Sequence, residues 1–268
     1  MPLAVCATPI GNLEDVTLRV LRELREADVV LCEDTRRTRI LLERHGISAA
    51  LVSYHEHNEA KRVAELLPRL VAGERVALVT DAGLPGVSDP GVRLVDTALD
   101  AGVPVTVLPG PTAVETALVA SGFEANRYQF LGFLPRGERA LASLWAELAR
   151  WPWVVVGYES PRRLPVALES LAAALPDRLV AVCRELTKLH EEVVRGPARD
   201  VAARFAEPVK GEVTLVIGPG EAVEGRADED ARSAVAELVQ AGTPRRTAAD
   251  VVSQLTGISK NRLYRESL

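Results

Sequence analysis

The residues best suited to chemistry crowd into one short segment, ALVTDAGLPGVSDPG, residues 77–91. A β-branched run ends at Thr80, and the next eleven residues hold three glycines, two prolines and the aspartates Asp81 and Asp89. The segment contains neither G-x-G-x-x-G nor Gly-Lys-Ser/Thr, so it is neither a dinucleotide fingerprint nor a P-loop. Two carboxylates repel phosphate; they attract cations and accept from hydroxyl and amine donors. The loop therefore suits a neutral or cationic ligand. S-adenosylmethionine, with a sulfonium, an ammonium and ribose hydroxyls, fits that description. Capping of turns and helix starts is the other use such aspartates find.

Basic residues gather at other points. Arg36, Arg37 and Arg39 follow Glu33 and Asp34 in LCEDTRRTR, and Arg162 with Arg163 follows YES. Arginine forks match phosphate oxygens, so these are candidates for RNA contact; a solvated helix face is the alternative, above all for Arg39. From Ala241 onward five Lys or Arg (Arg245, Arg246, Lys260, Arg262, Arg265) face two acids, so here the charge turns positive in a chain whose net charge is −5. The bulk charge gives no sign of nucleic-acid binding, so that function has to rest on such patches.

The elements that must position these groups alternate. LAVCAT (3–8), DVVLCED (28–34), ALVSY (50–54), RVALVT (75–80) and PVTVLP (104–109) read as strands, with amphipathic helices between them. One helix is expected from an Asn12 cap, another begins PTAVETALVASG with capping-box spacing at Thr112 and Glu115. Near-continuous apolar strands joined by helices predict a parallel sheet covered on both faces, with ligands outside the strands' carboxyl ends. That rule puts residues 8–12, 33–37, 80–91 and 109–113 on one edge. A second α/β series follows in YQFLGF, WVVVGYES, RLVAVCREL, EEVVRG and GEVTLVIG, the last two less strictly parallel; PGEAVEGRADED (219–230) reads as a linker to a helix-turn-helix-like tail.

No apolar run approaches the ~18 residues of a membrane-spanning helix, and MPLAVCATPIGN has no signal-peptide pattern. Cys6, Cys32 and Cys183 fall in apparent strands with no metal-like spacing, which predicts no metal site and a reducing, cytoplasmic setting.

Eight ordered segments between residues 7 and 192 (ATPIGNLEDVTLR, LCEDTRRTRILL, SYHEHNE, TDAGLPGVSDPG, LPGPTAVETAL, FLGFLPR, YESPRRL and CRELTKLHEE) resemble the tetrapyrrole methylase superfamily, and more closely its bacterial ribosomal-RNA branch. The resemblance implies α/β domains over residues 1–112 and 113–220 with the cofactor cleft between them, a helical appendage over 225–268, and a homodimer. It implies S-adenosylmethionine as cofactor and the small ribosomal subunit's 16S rRNA as partner, methylated on the 2′-hydroxyl of a cytidine (cytidine 1402) in the decoding centre. The motifs carry the cofactor positions onto Pro9; Asp81, Ala82 and Gly83; Val87, Ser88 and Asp89; Thr112 and Ala113; Leu131; Tyr158 and Glu159; Leu186; and Gly211, Glu212 and Val213. Methyl transfer to a hydroxyl needs in-line positioning and loss of a proton. Candidate bases are Glu33, Asp34, His55, Glu56 and Glu59, with Glu185 and Lys188 across the cleft; sequence singles out none. A tetrapyrrole-type small-molecule methyltransferase and a non-catalytic, cofactor-sensing nucleic-acid binder remain as alternatives.

Overall fold

Five apolar runs become the strands Leu3–Cys6 (β1), Val29–Cys32 (β2), Leu51–Ser53 (β3), Val76–Leu78 (β4) and Val105–Leu108 (β5), of which β1, β2 and β4 are buried at every residue. In the computed structural model, which describes residues 2–220 and 226–266 (side chains of 226–230 and 266 excepted), they form one sheet in the order β3-β2-β4-β1-β5. Every pairing in it is parallel. Helices Leu18–Glu26 (α1), Thr35–Arg44 (α2), Glu59–Val71 (α3) and Val92–Asp100 (α4) link its strands, and Ala113–Ser121 (α5) follows β5. Val20, Leu24, Leu41 and Leu42 of α1 and α2 bury one face of the sheet. Leu66, Leu70, Leu94 and Ala98 of α3 and α4 bury the other. The expected two-sided parallel sheet is present.

The helix expected at Asn12 starts later. Asn12 caps only a single 3₁₀ turn, Leu13–Asp15; Val16 is extended, and Thr17 caps α1 by accepting from the Val20 N–H. Two cap residues five positions apart split what the apolar spacing read as one helix.

The second sheet holds Tyr128–Phe133 (β6), Val154–Glu159 (β7), Leu179–Arg184 (β8), Glu192–Pro197 (β9) and Val213–Ile217 (β10), in the order β6-β7-β10-β8-β9. Only β6 and β7 run parallel; β10 is antiparallel to both neighbours, as is β9 to β8. The helices Glu138–Leu148 (α6), Leu164–Ala174 (α7) and Ala198–Arg204 (α8) accompany it. Helix α5 packs Val114, Ala117 and Leu118 onto this second sheet.

Residues 1–145 and 153–218 form one compact unit containing both sheets, and residues 146–152 with 219–268 form another. The latter contains Arg226–Gln240 (α9), Arg245–Thr256 (α10) and Lys260–Glu266 (α11) around Val235, Ala248, Ala249, Val252 and Leu263. Pro244 precedes α10, and Gly257 ends it in the left-handed conformation. Of the expected linker, residues 221–225 lie outside the described residues. All three cysteines are free and buried. Among the described residues no helix is long and apolar enough to cross a membrane.

Candidate functional site

A parallel sheet sends all its βα loops to one side, and here those loops are stitched together. Thr8, just past β1, exchanges backbone hydrogen bonds with Gly83 (2.8 and 3.0 Å), and its hydroxyl donates to the Thr80 carbonyl at 2.9 Å. Gly83 holds φ +81°, which favours glycine. Farther along the loop, the Gly91 N–H donates to Glu59 Oε1 at 3.1 Å, and Tyr54 donates its hydroxyl to the same oxygen at 2.7 Å. Glu59 is thus a loop anchor.

Asp34 caps α2, accepting from the Arg36 N–H at 2.9 Å and from its guanidinium at 3.0 and 2.7 Å. These hydrogen bonds hold the Asp34 carboxyl down to about 2, well below its ordinary value. The Asp34 N–H in turn donates to Asp81 Oδ1 at 3.1 Å, while Arg37 Nη1 lies 3.5 Å from Asp81 Oδ2.

The second sheet supplies an opposing wall whose backbone is strained. Glu185 and Thr187 hold φ of +51° and +66°, in the left-handed region that non-glycine residues rarely occupy. Glu185 Oε1 accepts from Lys188 Nζ and from the Glu212 N–H, both at 2.9 Å, and Lys188 also reaches Glu212 Oε2 at 3.0 Å. Burial alone would lower the Lys188 pKa, but the bonds to Glu185 and Glu212 outweigh it and raise the pKa, keeping the ammonium charged. A protonated, doubly paired lysine is no base. Gly211, at φ +94°, lies flat under Glu185: a Cβ there would fall 2.4 Å from the carboxyl carbon. The two walls meet where the Asn12 N–H donates to Thr187 Oγ1 at 3.0 Å.

Between them lies a cavity of about 710 Å³. Of the positions carried over as cofactor contacts, Asp81, Ala82, Gly83, Val87, Ser88, Asp89, Thr112, Ala113, Tyr158, Glu159, Leu186, Gly211, Glu212 and Val213 line it. Pro9 lines a smaller neighbouring cavity of about 260 Å³, and Leu131 lines neither. Strand β6 instead turns Tyr128, Phe130 and Phe133 to the larger cavity, because a bulge between Phe130 and Phe133 breaks the alternation at Leu131 and Gly132. The alternation of YQFLGF gave the signal for Tyr128 and Phe130; nothing local announced the bulge. Ring contacts join Phe130 and Phe133 to Tyr158, edge to face at 5.0 and 5.6 Å.

Among the candidate bases only Glu33 lines the larger cavity; its Oε2 accepts from the Thr80 hydroxyl at 3.4 Å. His55, whose Nε2 lies 3.2 Å from Asn58 Nδ2, lines neither cavity, nor does Glu56. Burial, reinforced by the charges of Glu33 and Asp81 and partly opposed by a hydrogen bond from Thr80, pushes Asp89 up to about 6. Arg37 offsets the charge of Asp81 alone among Glu33, Asp81 and Asp89, so these three carboxylates leave a net negative charge that a cation would relieve. Aromatic faces and a volume suited to a cofactor-sized molecule complete the fit.

The basic candidates divide. Arg36 and Arg37 are exposed beside the cavity mouth, and Arg162 is exposed. Arg163 is committed to the fold: it donates to the Leu134 and Pro135 carbonyls (3.0 and 2.7 Å) and lies 2.9 Å from Glu159 Oε2. Glu159 is 2% exposed, and burial raises its pKa despite Arg163. We expect Arg163→Ala to destabilise the protein by about 2–4 kcal/mol in denaturant unfolding, through the unpaired buried carboxyl. An unchanged midpoint would make the pair dispensable. In the separate C-terminal unit Arg245 stacks over Tyr264 (5.0 Å), Lys260 pairs with Asp250, and Arg246, Arg262 and Arg265 are exposed.

Residues 2–202 match the family model for tetrapyrrole (corrin/porphyrin) methylases. A protein of Halalkalibacterium halodurans named ribosomal RNA small subunit methyltransferase I is 45% identical over 225 residues, 83% of this chain and 78% of its own length. One of the same name from Mesorhizobium japonicum is 43% identical over 99% of this chain and 91% of its own. Among solved structures, the methyltransferase CobJ superposes with a TM-score of 0.60 at 23% identity, over 81% of this chain and 93% of that one. The uroporphyrin-III C-methyltransferase of Thermus thermophilus complexed with S-adenyl homocysteine gives 0.55 at 22% identity, over 81% and 96%.

Proposed function

The chain belongs to the tetrapyrrole (corrin/porphyrin) methylase family, and on that premise we propose that it is an S-adenosylmethionine-dependent methyltransferase of small-subunit ribosomal RNA, acting on the 2′-hydroxyl of a decoding-centre cytidine. The observation that carries the substrate class is the near-full-length likeness to the Mesorhizobium japonicum protein of that name. Likeness to the tetrapyrrole enzymes, below 25% identity, speaks for the fold alone. The same reading includes a cytoplasmic location, a homodimer, residues 1–112 and 113–220 as lobes that flank the cofactor, and Arg36, Arg37, Arg162 and exposed basic residues of the C-terminal helices as phosphate contacts.

Bound S-adenosylmethionine supplies an electrophilic methyl group. The protein's part is to hold charge, exclude water and take a proton. Asp81 and Asp89 offer carboxylates to a cationic ligand, and the aromatic wall of Phe130, Phe133 and Tyr158 offers ring faces. We assign proton removal to Glu33, the candidate base that lines the larger cavity.

Asp89 gives the site a pH signature. A cation beside it favours the carboxylate, so binding below about pH 6 must release a proton. Cofactor affinity should rise up to about tenfold per pH unit until pH 6 and level off above it. Calorimetry in buffers of different ionisation enthalpy checks this through the proton count. Without cofactor the sign reverses. The folded state holds this proton more tightly than the unfolded chain, whose ordinary value is 3.8, so this group's contribution to stability falls between about pH 4 and 6. Asp89→Asn should therefore raise the apoprotein's Tm at pH 8 while weakening and flattening cofactor binding. A variant that keeps the wild-type pH profile removes Asp89 from the cation's environment.

The deciding experiment is methyl transfer from labelled S-adenosylmethionine to small subunits lacking the modification, with naked 16S rRNA and a porphyrinoid as parallel acceptors. Label on a ribose 2′-oxygen is expected. Label on the porphyrinoid alone overturns the RNA reading, and cofactor binding without any transfer overturns the enzymatic one.

A further inference from the structure

Sequence spacing would pair the charges of α1 with one another. Arg19 and Arg22 stand four residues before Glu23 and Glu26, the separation at which opposite charges meet on a helix. The fold diverts both acids. Arg75, immediately before β4, lies 3.1 Å from Glu23 Oε1 and 2.9 Å from Glu26 Oε2, and its backbone N–H donates to Asp28 Oδ2 at 2.8 Å. Glu14 pairs with Arg44 at 3.0 Å. Asp15, the remaining acid between residues 13 and 28, lies in the 3₁₀ turn outside the helix. Among the described residues, Arg19, Arg22 and Arg25 are left exposed and without an ion-pair partner.

The three recur at every third residue, within about a third of the helix circumference and over about 9 Å of its length. Helix α1 returns along the flank of the sheet, away from the carboxyl edge, and none of the three lines the larger or the smaller cavity. Beside it the sheet is only partly covered, because β5 is an edge strand and the helix that follows it packs on the second sheet. The gap is a cleft of about 160 Å³, lined by Ala4, Thr106 and Leu108 of the strands and by Arg19, Arg22 and Glu23 of the helix. It lies below the ~300–1,000 Å³ of pockets for drug-sized ligands, so it suits a small charged group. The Glu23 charge is met by Arg75, which leaves the two guanidinium groups to set the sign of the field.

We propose that the α1 flank, from Arg19 to Arg25, is a phosphate-contact surface for an RNA segment remote from the methylated nucleotide, with one phosphate held between Arg19 and Arg22 over the cleft. The proposal rests on the reading of the chain as a ribosomal-RNA methyltransferase. A particle far larger than the catalytic cavity has to be held at more than its target nucleotide, and phosphate contacts fix its position without reading sequence. Arginine forks meet phosphate oxygens bidentately, and a guanidinium with no carboxylate beside it has no partner to give up first. That separates this row from Arg36 and Arg37, which lie against Asp34 and Asp81. A row about 9 Å long spans two or three phosphates of a strand that rises on the order of 3 Å per phosphate.

The test is a variant combining Arg19→Gln, Arg22→Gln and Arg25→Gln, with Arg19→Lys, Arg22→Lys and Arg25→Lys as its charge-conserving partner. For the glutamine variant we expect a KM for unmodified small subunits raised about tenfold or more, with kcat and cofactor Kd within about twofold of wild type. Its Tm should not change, since the three side chains form no ion pair in the fold. The plot of log affinity for naked 16S rRNA against log salt should lose about 2 from its slope, at roughly 0.7 for each phosphate contact removed from a single strand. The lysine variant should keep most of that slope. Wild-type KM and salt slope in the glutamine variant overturn the surface and leave RNA methylation standing. Weakening confined to assembled subunits, with naked-RNA binding intact, overturns the RNA assignment in favour of an acidic protein on the particle. A wild-type protein that methylates no RNA overturns both.

Discussion

Gly11→Val is expected to abolish methyl transfer almost completely, by about 10²-fold or more, while the two sheets still form. A Cβ at Gly11 would sit 2.5 Å from Lys188 Cγ, 2.7 Å from Thr187 Oγ1 and 2.8 Å from the Leu186 carbonyl oxygen. The lysine stem can swing away, but the carbonyl belongs to a backbone already held in left-handed conformations at Glu185 and Thr187. The strain has to part the two walls. It removes the Asn12–Thr187 hydrogen bond and shifts Leu186, which faces the larger cavity. Overpacking of this kind costs about 1–3 kcal/mol, and a displacement near 1 Å at a reacting centre is enough for a hundredfold loss in rate. Calorimetry should show weaker cofactor binding and a lowered Tm together. Wild-type affinity and Tm in the variant would falsify the role given to this contact.

Glu33→Gln is expected to lower kcat by about 10²-fold, the lower end of what a positioned general base contributes. The substitution keeps the shape and the Thr80 hydrogen bond, so folding and small-subunit KM should stay near wild type. A separate readout distinguishes chemistry from structure. Because the Glu33 charge helps push the Asp89 pKa up, its removal should move the inflection in cofactor binding below pH 6. A displaced inflection with normal kcat would make Glu33 an electrostatic neighbour only, and the proton would have to leave by another route.

Sequence and structure agree most closely where the argument needs only pattern. The runs around Leu3–Cys6, Val29–Cys32 and Val76–Leu78 are apolar at every position, and only a strand buried on both faces tolerates that. Once the strands are parallel, the loops after β1, β2 and β4 must emerge on one side, which placed Asp81, Asp89 and Glu33 together before any coordinate was known. The departure from parallel order expected at β9 and β10 has a local cause at β9: the short stretch 185–191 after β8 is too brief for a helical crossover, whereas α8 lies between β9 and β10.

Other features were outside the reach of pattern. Glu59 and His55 shared a motif that looked acid–base in character, yet Glu59 spends its carboxylate on Tyr54 and Gly91, and His55 pairs with Asn58 away from both cavities. Arg163 read as a phosphate contact, and the fold turns it inward onto Glu159 and two carbonyls. The partners of these side chains lie up to 32 residues away in sequence, so spacing carries no information about them.

By itself the sequence determined the two α/β layers, the edge on which a ligand binds and the acidic character of the loop that greets it, because periodicity and residue type act locally. Only the tertiary structure decided which carboxylates stay available, where Phe133 points after the β6 bulge, and that a second cavity of about 260 Å³ adjoins the first. Those outcomes depend on which groups distant in sequence meet, and only the packed fold brings them together.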